Sequence, residues 1–387
     1  MMEQFDLLID RHGTNAYKWD HAGGKDVIAM WVADMDFRTA PCVIEALRRR
    51  VEHGVFGYVS VPESYYDSVI NWFGLKHHWH IEREWIQYTS GVVPAISAVI
   101  KALVRPEEKV LVMTPVYNCF FSSIRNNGCV TSESPLVYVD GTYKIDYDDL
   151  ERRASDPATK VLLMCNPHNP AGRVWSATEL EQVGQICRKH HVIIISDEIH
   201  CELVMPGNQF TPMASVSPEM QDGVITCNSP SKSFNTAGLQ IANIITNNAR
   251  WREAIDHAIN VNEVCDVNPF GVEAVQAAYL AEGEQWLGEL NQYLWGNYET
   301  LTHFFAKNLA HLPVTRLEGT YLVWVDISAL GVSSDEITRR LLESARVAVN
   351  AGTMYGAAGE GFIRLNIAMP RARMIEALQR MVPVLSL

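Results

Sequence analysis

Four continuous apolar runs constrain this chain more than any other feature: KVLVMT (109–114), KVLLMCN (160–166), VIIIS (192–196) and VITCN (224–228). None of them alternates apolar with polar residues. Neither face of such a strand is left for water, which is the pattern of parallel strands covered on both sides. Helical patterns lie between the runs. In the stretch 177–190, Ser176 stands just before the helix and Glu179 three residues later, the spacing of a capping box. Strand and helix in this alternation predict a doubly wound α/β domain.

The C-terminal third changes character. TYLVWVDI (320–327) and GFIRLNIA (361–368) read as strands, Ser333 with Glu336 opens the amphipathic helix ITRRLLESA, and RMIEALQRMV closes the chain as a further helix. These elements predict a smaller α+β domain. A length of 387 residues exceeds one ordinary core. The expected division is an N-terminal segment 1–45 packing with the small domain, a large domain 46–280 and a small C-terminal domain 281–387. No Gly/Ser linker or low-complexity stretch separates them, so the domains are expected to pack rather than hang on a tether.

Charge narrows the range of partners. A net charge of -13 disfavours nucleic acid and anionic membrane surfaces, which are themselves negative. No apolar run approaches the ~18 residues of a membrane span, and MMEQFDLLIDRHG lacks the basic-then-apolar order of a signal peptide. The eight cysteines, at 42, 119, 129, 165, 187, 201, 227 and 265, form no CxxC pair. Several lie in apolar runs, as buried free thiols do, which points to a cytoplasmic setting. Lys76-His77-His78-Trp79-His80 has no carboxylate or cysteine at ligand spacing, so it reads as a surface helix end and no metal is expected.

Ligands of open α/β sheets bind beyond the C-terminal ends of the strands. Just past the four runs stand Tyr117, Asn169, Asp197 and Lys232. Upstream, Ser90-Gly91 precede a helical pattern with Pro94 in its first turn, and a glycine turn opening a helix offers free N–H groups to a phosphate. Each residue alone has a plainer reading. Asp197 reads as a helix N-cap, Asn169-Pro170-Ala171-Gly172 as a turn, Lys232 as a loop lysine and Tyr117 as core. Together on one rim, a phosphate seat, a carboxylate, an aromatic ring, an amide and a lysine suit pyridoxal 5′-phosphate. A lysine can form a Schiff base with its aldehyde, and a carboxylate can keep its ring nitrogen protonated. Arg364 stands within an apolar strand, where a cation needs an anionic partner: a bound carboxylate, or an internal salt bridge.

NPHNPAG (166–172), SDEIH (196–200) and SPSKSFN (229–235), in this order and spacing, resemble the fold-type I pyridoxal-phosphate enzymes of the aminotransferase class I/II superfamily. WVADMDF (31–37), VFGYVSVP (55–62), DEIHCELV (197–204) and SKSFNTAGLQ (231–240) resemble its MalY/PatB-type carbon–sulfur lyases. The resemblance covers essentially the whole chain. It implies that Lys232 carries the cofactor and then moves the Cα proton, that Asp197 pairs with the pyridine nitrogen, that Asn169 bonds the ring oxygen and that Tyr117 stacks on the ring. Gly91, Val92 and Val93 with Ser229 and Ser231 would hold the phosphate. Tyr58 would reach it from a neighbouring subunit, so the site would need a homodimer. Arg364 would clamp the substrate α-carboxylate. His200 stands where many aminotransferases have a tyrosine near the ring oxygen, which leaves its hydrogen-bonding role open.

The implied reaction is α,β-elimination from L-cystathionine or a related S-substituted cysteine, giving a thiol, pyruvate and ammonia. Many class I aminotransferases carry SKxxxxxGxRxG, whose arginine adds a cation at the phosphate; here Gln240 and Ala242 replace that arginine and the last glycine. The departure does not by itself separate elimination from transamination. A class I aminotransferase is therefore the alternative within the same fold. A regulatory protein acting through protein–protein contact is the alternative outside enzymology.

Overall fold

A computed structural model of the chain describes residues 2–263 and 266–386, so Cys265 lies outside the described residues. The central sheet has seven strands: β1 (Ile86–Thr89), β2 (Lys109–Thr114), β3 (Val130–Pro135), β4 (Thr159–Cys165), β5 (Ile193–Asp197), β6 (Val224–Asn228) and β7 (Ala242–Ile245). Their order across the sheet is β1-β7-β6-β5-β4-β2-β3. The four apolar runs are β2, β4, β5 and β6, which are consecutive neighbours at its centre. Every position of β6, and every position but the first in β2 and β5, is buried. Strand β7 runs antiparallel to both β6 and β1, so the sheet is mixed. Apolar content sets where a strand lies, not which way it points.

A second sheet holds β8 (Leu322–Asp326), β9 (Asn350–Ala351) and β10 (Phe362–Asn366) in the antiparallel order β8-β10-β9. The helix Ala281–Asn308, about 42 Å long at 1.5 Å per residue, leads into it. The first forty residues pack on this part of the chain. Ile28-Ala29 pair in parallel with Val347-Ala348, and the Phe5 ring lies 5.2 Å from Phe37, 5.7 Å from Trp286 and 5.4 Å from Tyr293. The helix Ala177–Lys189 starts with both halves of its capping box formed between Ser176 and Glu179. Ser333 caps its helix through the Glu336 N–H, and that helix turns from α to π geometry over Leu341–Ala345.

One expectation needs correction. His78 and His80 are exposed, but His77 turns inward and meets the groups its local sequence lacks. Its Nε2 lies 2.8 Å from Glu202 Oε1, which also accepts the Trp72 indole N–H at 2.6 Å, with the Cys201 thiol 3.6 Å away. The carboxylate arrives from a loop more than a hundred residues away, so spacing along the chain could not reveal it.

Candidate active site

The parallel ladder brings the ends of β4, β5 and β6 level, with Cys165 opposite Asp197 and Asp197 opposite Cys227. The chain past each end therefore opens onto one rim. Asp197 closes β5 with only 3 % of its surface exposed, and its Oδ1 accepts the Ile199 N–H at 3.1 Å. Burial pushes this carboxyl up to about 7, against the pull of that N–H and of the Lys232 charge. Lys232 follows β6, and its Nζ donates to the Ala33 carbonyl at 2.6 Å. Burial lowers its pKa, with Arg364 acting the same way and Asp34 and Asp197 acting against it.

Opposite them, Gly91 caps the helix Val92–Leu103, whose first turn leaves its N–H groups without helical partners. Tyr117 caps the helix Asn118–Asn126. His200 is buried with Nδ1 unpartnered, and its ring lies 5.9 Å from Tyr321. Burial, with Lys232 and Arg364 nearby, holds its pKa well below the usual histidine range, so it is neutral at pH 7.

Arg364 sits in β10, paired with Trp324 on one side and Asn350 on the other. Its Nη1 donates to Asn169 Oδ1 at 3.0 Å and its Nη2 to the Trp31 carbonyl at 2.7 Å. The guanidinium lies 4.9 Å from the centre of the Tyr355 ring, and Nε is buried without a partner. Among the described residues no carboxylate lies within ion-pair distance of it. The internal salt bridge left open by the sequence is not formed, and a buried positive charge remains uncompensated.

A cavity of about 180 Å³ lies between these groups. Gly91, Val92, Val93, Tyr117, Asn169, Asp197, His200, Ser231 and Lys232 all line it. Three expected residues do not. Ser229 donates to the Ile241 carbonyl at 2.7 Å and accepts the Ser231 N–H at 3.1 Å, bracing the loop rather than facing the cavity. Arg364 stands behind Asn169. Tyr58 is 95 % exposed, in a stretch without regular secondary structure.

The segment 31–36 is a contributor to which the sequence assigned no role. Ala33 lines the cavity and its carbonyl accepts from both Lys232 and, at 3.0 Å, the Tyr321 hydroxyl. Asn350 Nδ2 holds the Trp31 carbonyl, and Asn366 Nδ2 holds those of Val32 and Asp34. Buried charges anchor the segment: Asp36 accepts from Lys18 at 3.0 Å, Arg11 at 2.8 Å and Trp19 at 2.8 Å. These are backbone contacts made across the fold, which residue type and spacing do not encode.

The donor set fits pyridoxal 5′-phosphate on the orphaned groups alone. Asp197 is a buried carboxylate that no cation among the described residues bonds, and a protonated pyridine nitrogen would supply one. Val92 and Val93 present free N–H groups, and Tyr117 places a ring on the cavity wall. The lysine amine lines the cavity, with one of its hydrogens on the Ala33 carbonyl.

Comparison with known proteins agrees. The chain is 39% identical over 386 residues to cystathionine beta-lyase PatB of Bacillus subtilis, covering 99% of this chain and 100% of the relative. It is 33% identical over 382 residues to protein MalY of Escherichia coli, covering 96% of each. The crystal structure of a pyridoxal-phosphate-bound C–S lyase from Staphylococcus hominis superposes with a TM-score of 0.93 at 35% identity, covering 99% of this chain and 98% of that one. The aminotransferase class I and II family model matches residues 25–381, which hold every strand of both sheets and all the residues that line the cavity, and the chain belongs to that family.

Proposed function

We propose that the protein is a pyridoxal-phosphate-dependent carbon–sulfur β-lyase. It cleaves L-cystathionine or a related S-substituted L-cysteine, with water, into a thiol, pyruvate and ammonia. The observation that carries the reading is that half-buried Lys232, buried Asp197 and the first turn of the helix after Gly91 all line one cavity. Near-full-length similarity to PatB, MalY and the Staphylococcus C–S lyase supports elimination as the outcome.

Bound there, pyridoxal 5′-phosphate supplies an aldehyde that captures amines covalently and a ring that accepts the electron pair left at Cα. Lys232 would hold that aldehyde through its amine and, when free of it, would take the Cα proton. Asp197 would pair with the ring nitrogen and would keep it protonated. Asn169, whose Oδ1 accepts from Arg364, would donate its amide N–H to the ring oxygen. Arg364 turns its uncompensated charge to the substrate α-carboxylate. His200, neutral, and Tyr117 line the cavity, and Tyr117 would pack over the ring. Gly91, Val92, Val93 and Ser231 would hold the phosphate, with Ser229 supporting Ser231. The strap 31–36 keeps water off the lysine amine.

Tyr58 reaches the phosphate of a neighbouring copy, so the working unit is a homodimer. Its exposure, beside Phe56 at 55 % and Val55 at 63 %, supports this reading. Residues 46–280 act as the cofactor-holding domain, and 1–45 with 281–387 as the second. The protein works in the cytoplasm, a reading supported by the seven described cysteines, all free; no described helix is long and apolar enough to cross a membrane.

Incubation of the loaded protein with cystathionine is the test. Stoichiometric pyruvate, ammonia and homocysteine are expected. A keto acid retaining the full substrate skeleton, with pyridoxamine phosphate left on the protein, overturns the reading in favour of transamination.

A further inference from the structure

The groups gathered around His77 take no part in the steps above. One oxygen, Glu202 Oε1, receives all of them: His77 Nε2 at 2.8 Å, the Trp72 indole N–H at 2.6 Å and Cys201 Sγ at 3.6 Å. The ligating atoms of His77, Cys201 and Glu202 lie within 4.8 Å of one another. Trp72 and His77 belong to the last two turns of the helix Glu63–His77, and Cys201 and Glu202 to the turn that follows β5. The backbone of that turn is fixed. The Cys201 N–H donates to the Glu198 carbonyl at 3.0 Å, and Asn291 Nδ2 donates to the Glu202 carbonyl at 2.8 Å. Aromatic rings wall the cluster: Trp72 stacks on Tyr279 at 4.7 Å, and the His77 ring stands edge-on to Phe210 at 5.0 Å.

An ion pair needs only His77 and Glu202. A thiol brought to the same oxygen adds little to such a pair, because S–H is a weak donor. Imidazole, thiolate and carboxylate together are instead the nitrogen, sulfur and oxygen donors of zinc sites. Around a tetrahedral zinc ion, nitrogen and oxygen ligands stand about 3.4 Å apart, and sulfur and oxygen about 3.6 Å. The thiol is therefore already in place, and the imidazole has to back away from Glu202 by only about 0.6 Å.

We propose that His77, Cys201 and Glu202 bind a zinc ion, which staples the end of this helix to the turn after β5. Trp72 is the outer partner that orients the carboxylate. On binding, the Cys201 thiol gives its proton to solvent and His77 ligates as a neutral imidazole. The two anionic ligands cancel the charge of the ion, so no net charge is buried. Three protein ligands leave a fourth position for water. The His77 side chain keeps 8 % of its surface exposed, which gives the ion a way in. Calcium and magnesium, which take oxygen ligands, do not suit this set. His200, which lines the cofactor cavity, directly precedes Cys201, so the ion would hold that wall from behind.

Cobalt(II) added to the full chain tests this, because it occupies zinc sites and reports its ligands by absorbance. The spectra are taken on the unloaded chain, where no cofactor absorbance overlaps them. Cobalt should bind with the visible bands of a four-coordinate ion and a thiolate-to-cobalt band, and zinc should displace it. Cys201→Ser should lose the thiolate band. Its affinity should fall by more than the ~10–100-fold that an outer partner contributes, while Trp72→Phe should show only that smaller loss and keep the band. With or without pyridoxal 5′-phosphate, zinc at about a hundredfold excess over its Kd should raise the wild-type Tm by about 3 °C.

A folded wild type that shows no thiolate band with cobalt overturns the proposal. So does a band that persists in Cys201→Ser, or a zinc-dependent rise in Tm that this variant keeps in full. Should Cys201→Ser fail to fold, His77→Gln, which keeps a donor on Glu202, reads the same site, and undiminished cobalt affinity there overturns the proposal. A chain that takes up no pyridoxal 5′-phosphate leaves the cobalt spectra standing, so this inference and the cofactor reading fail separately.

Discussion

The lysine amine and the aspartate carboxyl are each held by burial in a state they would not keep in water. Lys232 is made easier to deprotonate, as a group that must take and return a proton requires, and Asp197 is made harder to ionise until a cation faces it. Replacing Lys232 with alanine should abolish both the visible absorbance of the covalently held cofactor and pyruvate release; a retained absorbance would move the attachment to another amine. Arg364→Leu should lower kcat/KM about 10- to 100-fold, chiefly through KM, since a charge-assisted bond contributes about 1.5–3 kcal/mol. An unchanged ratio would remove the clamp.

The unloaded protein offers a further check on Asp197. Its pKa is raised on folding, so its stabilising contribution is full below the unfolded value and is lost as pH climbs through about 7. Asp197→Asn should therefore gain stability over wild type as pH rises, by at most about 4 kcal/mol above pH ~7. Denaturant melts of the two unloaded proteins across pH would read it.

Residue types and their order carried nine of the twelve expected site positions onto the cavity wall. They failed where the contact is made by backbone or by a remote partner. The Ala33 carbonyl, the Glu202 carboxylate at His77 and the redirected hydroxyl of Ser229 have no trace in local spacing.

Among the elements, the runs with no polar interruption became strands within one residue of their sequence limits, because an uninterrupted apolar run has only the centre of a sheet to occupy. What local pattern left open was direction. β7 is as apolar as its neighbours yet runs the other way, a choice made by the return path of the loop that carries Lys232. Helix starts were equally legible where a side chain does the capping. Ser176→Ala should cost about 1 kcal/mol by removing one half of the capping box, with the urea midpoint lowered and the slope unchanged. A slope that changes with it would mean that the substitution altered more than this helix end. The strap 31–36 has no periodicity at all. It is ordered by carbonyls that Asn350, Asn366 and Arg364 bind.

For the whole molecule, the exposed stretch around Tyr58 decides whether one copy is sufficient. Val55, Phe56 and Tyr58 stand out from the surface near Phe270, whose ring lies 5.6 Å from that of Phe56. Light scattering should give twice the mass of one chain. Phe56→Asp should halve that mass and weaken cofactor retention together, since the neighbour's tyrosine leaves with it. A monomeric variant that holds its cofactor as tightly as wild type would dissociate the two roles.

The strap also sets a timetable. Its residues leave the ribosome early, but Asn350, Arg364 and Asn366, which hold it, are made more than three hundred residues later. At about 5–20 residues per second, Lys232 is synthesised well before the backbone oxygen of Ala33 is fixed beside it. A nascent chain halted near residue 345 already has the lysine, the aspartate and the glycine turn, yet lacks Asn350, Arg364 and Asn366, which bind the carbonyls of Trp31, Val32 and Asp34. Completion of the last strand is thus the moment at which the strap gains its final anchors, and a prematurely terminated product should be recognisable by an amine that acylating reagents modify faster than that of the finished protein.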